Sequence, residues 1–364
     1  MHAAVFYGLN NIANEEIYCC NDYFSRDQIE FGEGILLRVK ACAVCGYDVK
    51  VYRNGHHKVT PPVVLGHEIC AETDKTITIG NRTRIKGGSR VAVSPIIPCL
   101  NCKYCYNKQY NLCLNLKEIG STINGGFAEF VRIPEQILKI GGLVPIPDDL
   151  SDEEAALLEP LSCCLNGFSR IGPIAKESIV VIIGDGPIGL LHLQLLKTLY
   201  NTRTIVVGKI PQRIQKAKSM GADAAIVLAD DNNTKDHTEL NLDNVTDCIG
   251  YADIVIIATS SPKALDMAIK IAAKNSKINI FAGMPKAASP SILLDANWIH
   301  YKQISITGSF SATPAMLQEA ARLVSDKQID LSKIITHRYS LDDIQKAMLA
   351  TEKYCGLRAV INRF

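Results

Sequence analysis

The chain has almost no imbalance of charge. Its 39 lysines and arginines meet 37 aspartates and glutamates, for a formal net charge of +2. That balance gives no electrostatic reason to expect a nucleic acid or an acidic membrane surface as partner. Nor is there a candidate membrane span. The most apolar window, Ile179 to Leu196, carries Asp185 and three glycines, which suits a buried strand and helix better. Met1 to Asn10 lacks the basic-then-apolar pattern of a secretion signal. Internal repeats, low-complexity segments and long charge runs are missing as well. A cytoplasmic globular protein is expected, and a length of 364 residues suggests two domains. Cysteine, by contrast, is plentiful. Thirteen is an odd number, with four tightly clustered, and without a secretion signal this favours metal binding and buried thiols over a disulfide framework.

The window Ile179 to Leu196 organises the rest. A β-branched run, Ile179 to Ile183, stops at Gly184, and an apolar helical pattern begins within a few residues. Between them lies G-x-G-x-x-G, as Gly184, Gly186 and Gly189, with Pro187 and Ile188 inside the turn. The glycines serve in turn a tight bend, close approach of backbone to a pyrophosphate, and close helix–strand packing. Free N–H groups at the helix start then face the phosphates. A second strand, Thr204 to Gly208, ends about 20 residues on, where a ribose-reading residue belongs. This is the pattern of a dinucleotide-binding βαβ unit.

Up to about Leu150 the chain is strand-rich and punctuated by Gly, Pro and Asn; Ile35–Ala41, Arg90–Ser94 and Phe127–Val131 read as half-buried strands of a β-barrel-type unit. Ser151 then offers an N-cap before acidic residues in a first helical turn. Strands expected at Ile179–Ile183, Thr204–Val207, Ala224–Leu228, Ile254–Ala258 and Lys277–Ala282 alternate with helical stretches, which implies a parallel sheet covered on both faces. Past Pro290 the alternation breaks. Ile304–Gly308 reads as a strand, Pro314–Val324 and Leu341–Ala350 as helices, and this tail is expected to return to the first domain. The expected division is 1–150, 151–290 and 291–364, with a metal lobe over 95–115.

Cys99, Cys102, Cys105 and Cys113 are four potential thiolates within fifteen residues, enough to close a tetrahedron around a structural Zn²⁺. A bacterial iron–sulfur run starts the same way but continues x3-C-P, whereas here seven residues intervene and Leu114 follows. Further ligand candidates are Cys45 in Cys45-Gly46-Tyr47-Asp48, His67 and Glu68 after Gly66, and Glu159 before Pro160. Each alone has an ordinary structural reading, a buried thiol or a hydrogen-bonded histidine. Together they match a Cys/His/carboxylate set, and three protein ligands with one open position make a catalytic zinc site.

With these motifs in one order, the sequence resembles the zinc-dependent medium-chain dehydrogenases, and most of all their polyol (sorbitol-type) and threonine dehydrogenase branch. The likeness runs through Cys45–Asp48, Gly66–Glu68, the Cys99–Cys113 lobe, Gly125–Glu129, Leu158–Leu161, Gly184–Gly189, Ile299–Lys302 and Thr307–Ser309. It implies an α/β fold, a GroES-like β-barrel catalytic domain around an inserted Rossmann-type doubly wound parallel sheet. It implies that Cys45 and His67 hold a catalytic zinc, that Glu68 and Glu159 share or exchange the third place, and that Asp48 orients His67. Two complete ligand sets imply two zinc ions per chain, and the resemblance implies a homodimer or homotetramer. Three positions depart from the family pattern. Tyr47 stands where a relay Ser or Thr is usual, Lys50 where a relay histidine is common, and Ala71 where a glycine is expected.

The expected reaction is hydride transfer between a secondary alcohol, polyol or sugar-like, and a nicotinamide cofactor, with Tyr47 or Glu68 carrying the proton. A threonine-type or simple secondary-alcohol dehydrogenase using NAD is the alternative. A zinc-free quinone reductase on the same scaffold would lack Cys45, His67 and the cysteine lobe. A zinc-ribbon nucleic-acid binder would show a basic stripe. NADP is the expected cofactor over NAD, again because of something missing. No Asp or Glu occurs from Thr204 to Met220, Gly208 stands at the ribose-reading position and leaves room, and Lys209 and Arg213 offer cations for a 2′-phosphate.

Overall fold

The computed structural model describes residues 1–17, 34–80, 83–228, 249–284 and 294–364. Short apolar runs punctuated by Gly and Pro build a seven-stranded sheet in the order Leu143–Pro145, Arg90–Val93, Glu68–Glu72, Gly34–Ala43, Arg358–Arg363 and Ile335–Ser340, with Phe130–Pro134 also on Gly34–Ala43. All neighbours run antiparallel except the last two strands, which are parallel. Asn11–Glu16, His2–Gly8 and Val63–Val64 form a smaller sheet beside it. Phe6, Val39, Ile69, Val91, Phe127 and Ile361 belong to the core of this region. The expected strand Phe127–Val131 starts later, at Phe130, because Phe127 bonds elsewhere, its N–H to Leu65 and its carbonyl to Ala4.

Register decides where the chemistry lies. Ala43, at the end of Gly34–Ala43, pairs with Glu68 at the start of Glu68–Glu72, and Val360 pairs with Ala43 from the other side. Three strand ends therefore bring Cys45, His67–Glu68 and Arg358 together.

The second sheet is wholly parallel: Ala224–Val227, Arg203–Gly208, Ile179–Ile183, Ala252–Ile257, Ala272–Ile280 and Ser305–Gly308. In chain order that is 3-2-1-4-5-6, the doubly wound order that binds dinucleotides where the strand order reverses. Ile179–Ile183 and Ile254–Ile257, at its centre, are runs of Ile and Val, as burial on both faces requires. Ser305–Gly308 corrects an expectation. The break near Pro290 suggests a return to the first domain, yet the helix Ala296–Lys302 delivers one more parallel strand to this sheet. The chain divides into two compact units, Met1–Ser162 with Ser311–Phe364, and Cys163–Phe310.

The helix Pro187–Leu195 carries one unusual residue into the interior of the second unit. His192 is fully buried, stands edge-on between Phe168 and Phe281, and neither ring nitrogen has a hydrogen-bond partner. Burial alone lowers its pKa to about 3. No helix among the described residues is long and apolar enough to cross a membrane.

Candidate functional site: two metal-binding groups and a glycine loop

Cys45 is the N-cap of the helix Gly46–Asn54, and its backbone N–H donates to Asp48 Oδ2 at 2.8 Å. That bond fixes Asp48, which is fully buried and turns Oδ1 toward the Gly66 N–H at 3.3 Å and His67 Nδ1 at 3.5 Å. The carboxylate thus sets the histidine ring, as an acceptor behind a ligating imidazole does. Ligand atoms of Cys45, His67 and Glu68 lie within 4.8 Å of one another. Glu68 Oε1 meets Arg358 Nη2 at 3.0 Å, while Oε2 is buried without a hydrogen-bond partner. Burial pushes the Glu68 pKa up, with Arg358 opposing. For His67, burial disfavours the charge, but Asp48 and Cys45 raise its pKa well above the ordinary value. An orphaned carboxylate oxygen and an imidazole that attracts positive charge, both beside a thiol, fit a zinc ion.

Glu159 lies in the first turn of the helix Leu158–Ile171 and is 8% exposed. Its charge acts on Arg358, and its carboxylate is not among the three donors gathered at Cys45. Tyr47 stands edge-on to His67, with ring centroids 5.7 Å apart. Its hydroxyl lies 2.9 Å from Ser121 Oγ and 3.3 Å from His56 Nδ1. Burial raises the phenol pKa, and the Ser121 bond opposes it.

Cys99, Cys102, Cys105 and Cys113 form the second group, their sulfurs also within 4.8 Å of one another. The Cys102–Cys105 and Cys99–Cys105 separations are 3.5 and 4.0 Å. A tetrahedron with Zn–S bonds of about 2.3 Å has edges of roughly 3.8 Å, so the pocket already has the size of a ZnS₄ centre. Backbone N–H groups stabilise thiolate here: the Cys99 N–H donates to Cys113 Sγ at 3.1 Å, and the Leu114 N–H leads the groups that lower the Cys102 pKa to about 6. Cys105, more enclosed, is raised by burial to about 12. One sulfur is poised to ionise and one resists, a contrast that a shared dication would remove.

The glycine loop follows Ile179–Ile183. Gly184 has φ of +130°, and a Cβ there would sit 2.7 Å from the Ala258 carbonyl oxygen; one on Gly189 would sit 1.9 Å from that of Gly184. Gly186 differs, since a Cβ there would meet only Arg213 Nη1, at 3.9 Å. It is also the N-cap of Pro187–Leu195 and makes no side-chain cap bond. Open space beside the second glycine, a cation at its border and uncapped N–H groups fit a pyrophosphate.

Two family models match the chain, an alcohol dehydrogenase GroES-like domain over residues 32–148 and a zinc-binding dehydrogenase over 187–326. A sorbitol dehydrogenase of Halalkalibacterium halodurans is 33% identical over 330 residues, covering 90% of this chain and 91% of that protein. The chain belongs to the zinc-type alcohol dehydrogenases. An alcohol dehydrogenase of Escherichia coli CFT073 solved with NADH superposes with a TM-score of 0.83 at 25% identity, covering 100% of this chain and 99% of that one. A zinc-binding dehydrogenase of Sinorhizobium meliloti 1021 bound to NADP gives 0.81 at 26%, covering 99% and 98%.

In this dehydrogenase three side chains that meet the candidate site residues were not singled out from the sequence. Arg358 reaches Glu68 through strand pairing, and Ser121 reaches Tyr47 from 74 positions away. His56 carries one signal, its place in a His-His pair soon after Cys45. One expectation is overturned. The space beside Gly208 is not open, because a Cβ there would lie 2.4 Å from Asp185 Cβ, Cγ and Oδ2. A carboxylate does stand at the end of Arg203–Gly208, brought across from the neighbouring strand's loop.

Proposed function

We propose that this enzyme transfers hydride between a secondary alcohol of polyol or sugar type and a nicotinamide dinucleotide. The observation that carries the proposal is the convergence of Cys45, His67 and Glu68 in a chain that also has a 3-2-1-4-5-6 parallel sheet with its glycine loop. The sorbitol dehydrogenase relative supports the substrate class. Cys45, His67 and Glu68 would hold the catalytic zinc, with Asp48 orienting His67 and Arg358 anchoring the far oxygen of Glu68. Glu159, close enough to act on Arg358, is the carboxylate that can exchange with Glu68. Zinc when bound supplies Lewis acidity and lowers the pKa of a hydroxyl. The chain's own part is the proton. Tyr47 Oη receives it and passes it to His56 Nδ1, with Ser121 Oγ fixing the phenol. His56 is half-buried and its ring packs on exposed His57, 4.3 Å between centroids, so the proton has a way to solvent. The cysteine lobe would hold a second, structural zinc, and Gly184, Gly186, Pro187, Ile188 and Gly189 the dinucleotide.

A screen of polyols, sugars, sugar phosphates, threonine and simple secondary alcohols with both nicotinamide cofactors, run beside elemental analysis, tests this. Two zinc ions per chain and turnover of a polyol or sugar are expected. One zinc or none, or turnover confined to threonine, would overturn it.

A further inference from the structure

Asp185 is the variable residue between the first two glycines, a position with no assigned part in holding a dinucleotide. Here it carries a carboxylate that is 8% exposed. Its Oδ2 accepts two backbone hydrogen bonds, from Lys209 N–H at 2.9 Å and Ile210 N–H at 2.7 Å. Those two N–H groups follow directly on Gly208, at the carboxyl end of Arg203–Gly208, where the adenosine ribose is read. Successive N–H groups converging on one point make an anion-binding concavity. In this chain the protein's own carboxylate fills it.

We infer that Asp185 is the specificity-determining residue for the cofactor: it takes the anion place that a 2′-phosphate would need, supplies the carboxylate that reads a free ribose, and so selects NAD(H) over NADP(H). The inference rests on Gly184–Gly189 being a dinucleotide loop. It explains Gly208, where any side chain would run into Asp185 at 2.4 Å although its backbone is unstrained. Glycine is there to admit the aspartate. The nearby cations do not reverse the sign. Arg213 is buried with Nη1 beside Gly186, on the pyrophosphate side of the loop, and Lys209 is exposed, where solvent and salt screen it. A fixed carboxylate at hydrogen-bond distance from the N–H pair outweighs both, and the rejection of NADP comes from a repulsive element as well as an attractive one.

The test is calorimetric titration of the purified zinc-loaded enzyme with NAD⁺ and with NADP⁺, together with the rise in melting temperature each nucleotide produces. The unmodified enzyme binds NAD⁺ more tightly. Asp185→Asn keeps an acceptor oxygen and removes the charge, and it moves the ratio of dissociation constants toward NADP⁺ by about tenfold or more. Gly208→Asp alone lowers the melting temperature and weakens both nucleotides. Combined with Asp185→Ala it regains NAD⁺ binding, because the carboxylate has then only changed its strand. An unmodified enzyme that holds NADP⁺ more tightly overturns the inference, as does an unchanged ratio in Asp185→Asn while both nucleotides still bind. If neither nucleotide binds nor raises the melting temperature, the dinucleotide reading falls with it.

Discussion

The two candidate metal-binding groups of this enzyme are assembled in opposite ways. The cysteine lobe draws four thiols from fifteen consecutive residues, and its N–H···S bonds come from its own loop. The Cys45 group draws donors 22 positions apart, held by a buried aspartate and by an arginine about 290 positions beyond His67. A local centre contributes to folding and needs little from the rest of the chain. A distributed centre needs the sheet register first, and gives in return a site whose every donor is oriented by a different element.

Substitutions should separate the two. The largest effect is expected from Cys45→Ser, which removes a proposed ligand of the distributed centre. Metal-ion catalysis supplies several kcal/mol of transition-state stabilisation, so turnover should fall by roughly 10³-fold or more. The melting temperature should barely move, because strand pairing and not the ion holds the site. Steady-state kinetics beside calorimetry show both, and a large loss of stability would break the contrast. Cys102→Ser should do the reverse. Loss of a structural metal is among the few changes that cost about 4 kcal/mol or more, a fall of roughly 8–16 °C for a domain of this size. The fraction still folded should keep most of its turnover per catalytic zinc. Tyr47→Phe sharpens the picture within the distributed centre. Both zinc ions and the melting temperature should be retained while kcat falls about 10²- to 10⁴-fold, the usual loss for an acid–base partner. A near-normal kcat across pH would show that the phenol only shapes the pocket.

The same division governs what could be read from the sequence. The cysteine lobe was legible because spacing alone places its donors within reach. The glycine loop was legible because strand, turn and helix follow one another without a break. Cys45, His67 and Glu68 form a set only by their donor chemistry and by resemblance, since nothing local says that two strand ends meet. Arg358 and Ser121 were out of reach for that reason. Asp185 shows how a local reading misleads. A census of charge from Thr204 to Met220 finds no carboxylate, yet adjacent parallel strands end side by side, and the residue that fills the place comes from 24 positions earlier. Ile304–Gly308 reads as a strand of a tail that returns to the first domain, but a break in alternation does not mark the end of a parallel sheet when one more crossover follows, and Ser305–Gly308 joins that sheet.

His192 gives the parallel sheet a sensitivity to acid. In the unfolded chain an imidazole takes up a proton near pH 6.5, but in the folded one it resists until about pH 3. Its neutral form is thus the one that folding favours. The associated stability is complete above pH 6.5 and is lost as the medium acidifies toward 3, by up to about 1.4 kcal/mol per pH unit. Between pH 6.5 and 4.5 the unmodified enzyme should lose roughly 2–3 kcal/mol more than His192→Leu, read from urea denaturation at each pH. Equal slopes for the two proteins would show that the ring finds a counter-charge on opening. A medium that turns acidic would then weaken the parallel-sheet unit from its own interior, alongside any metal lost from ligands that must be deprotonated to hold it.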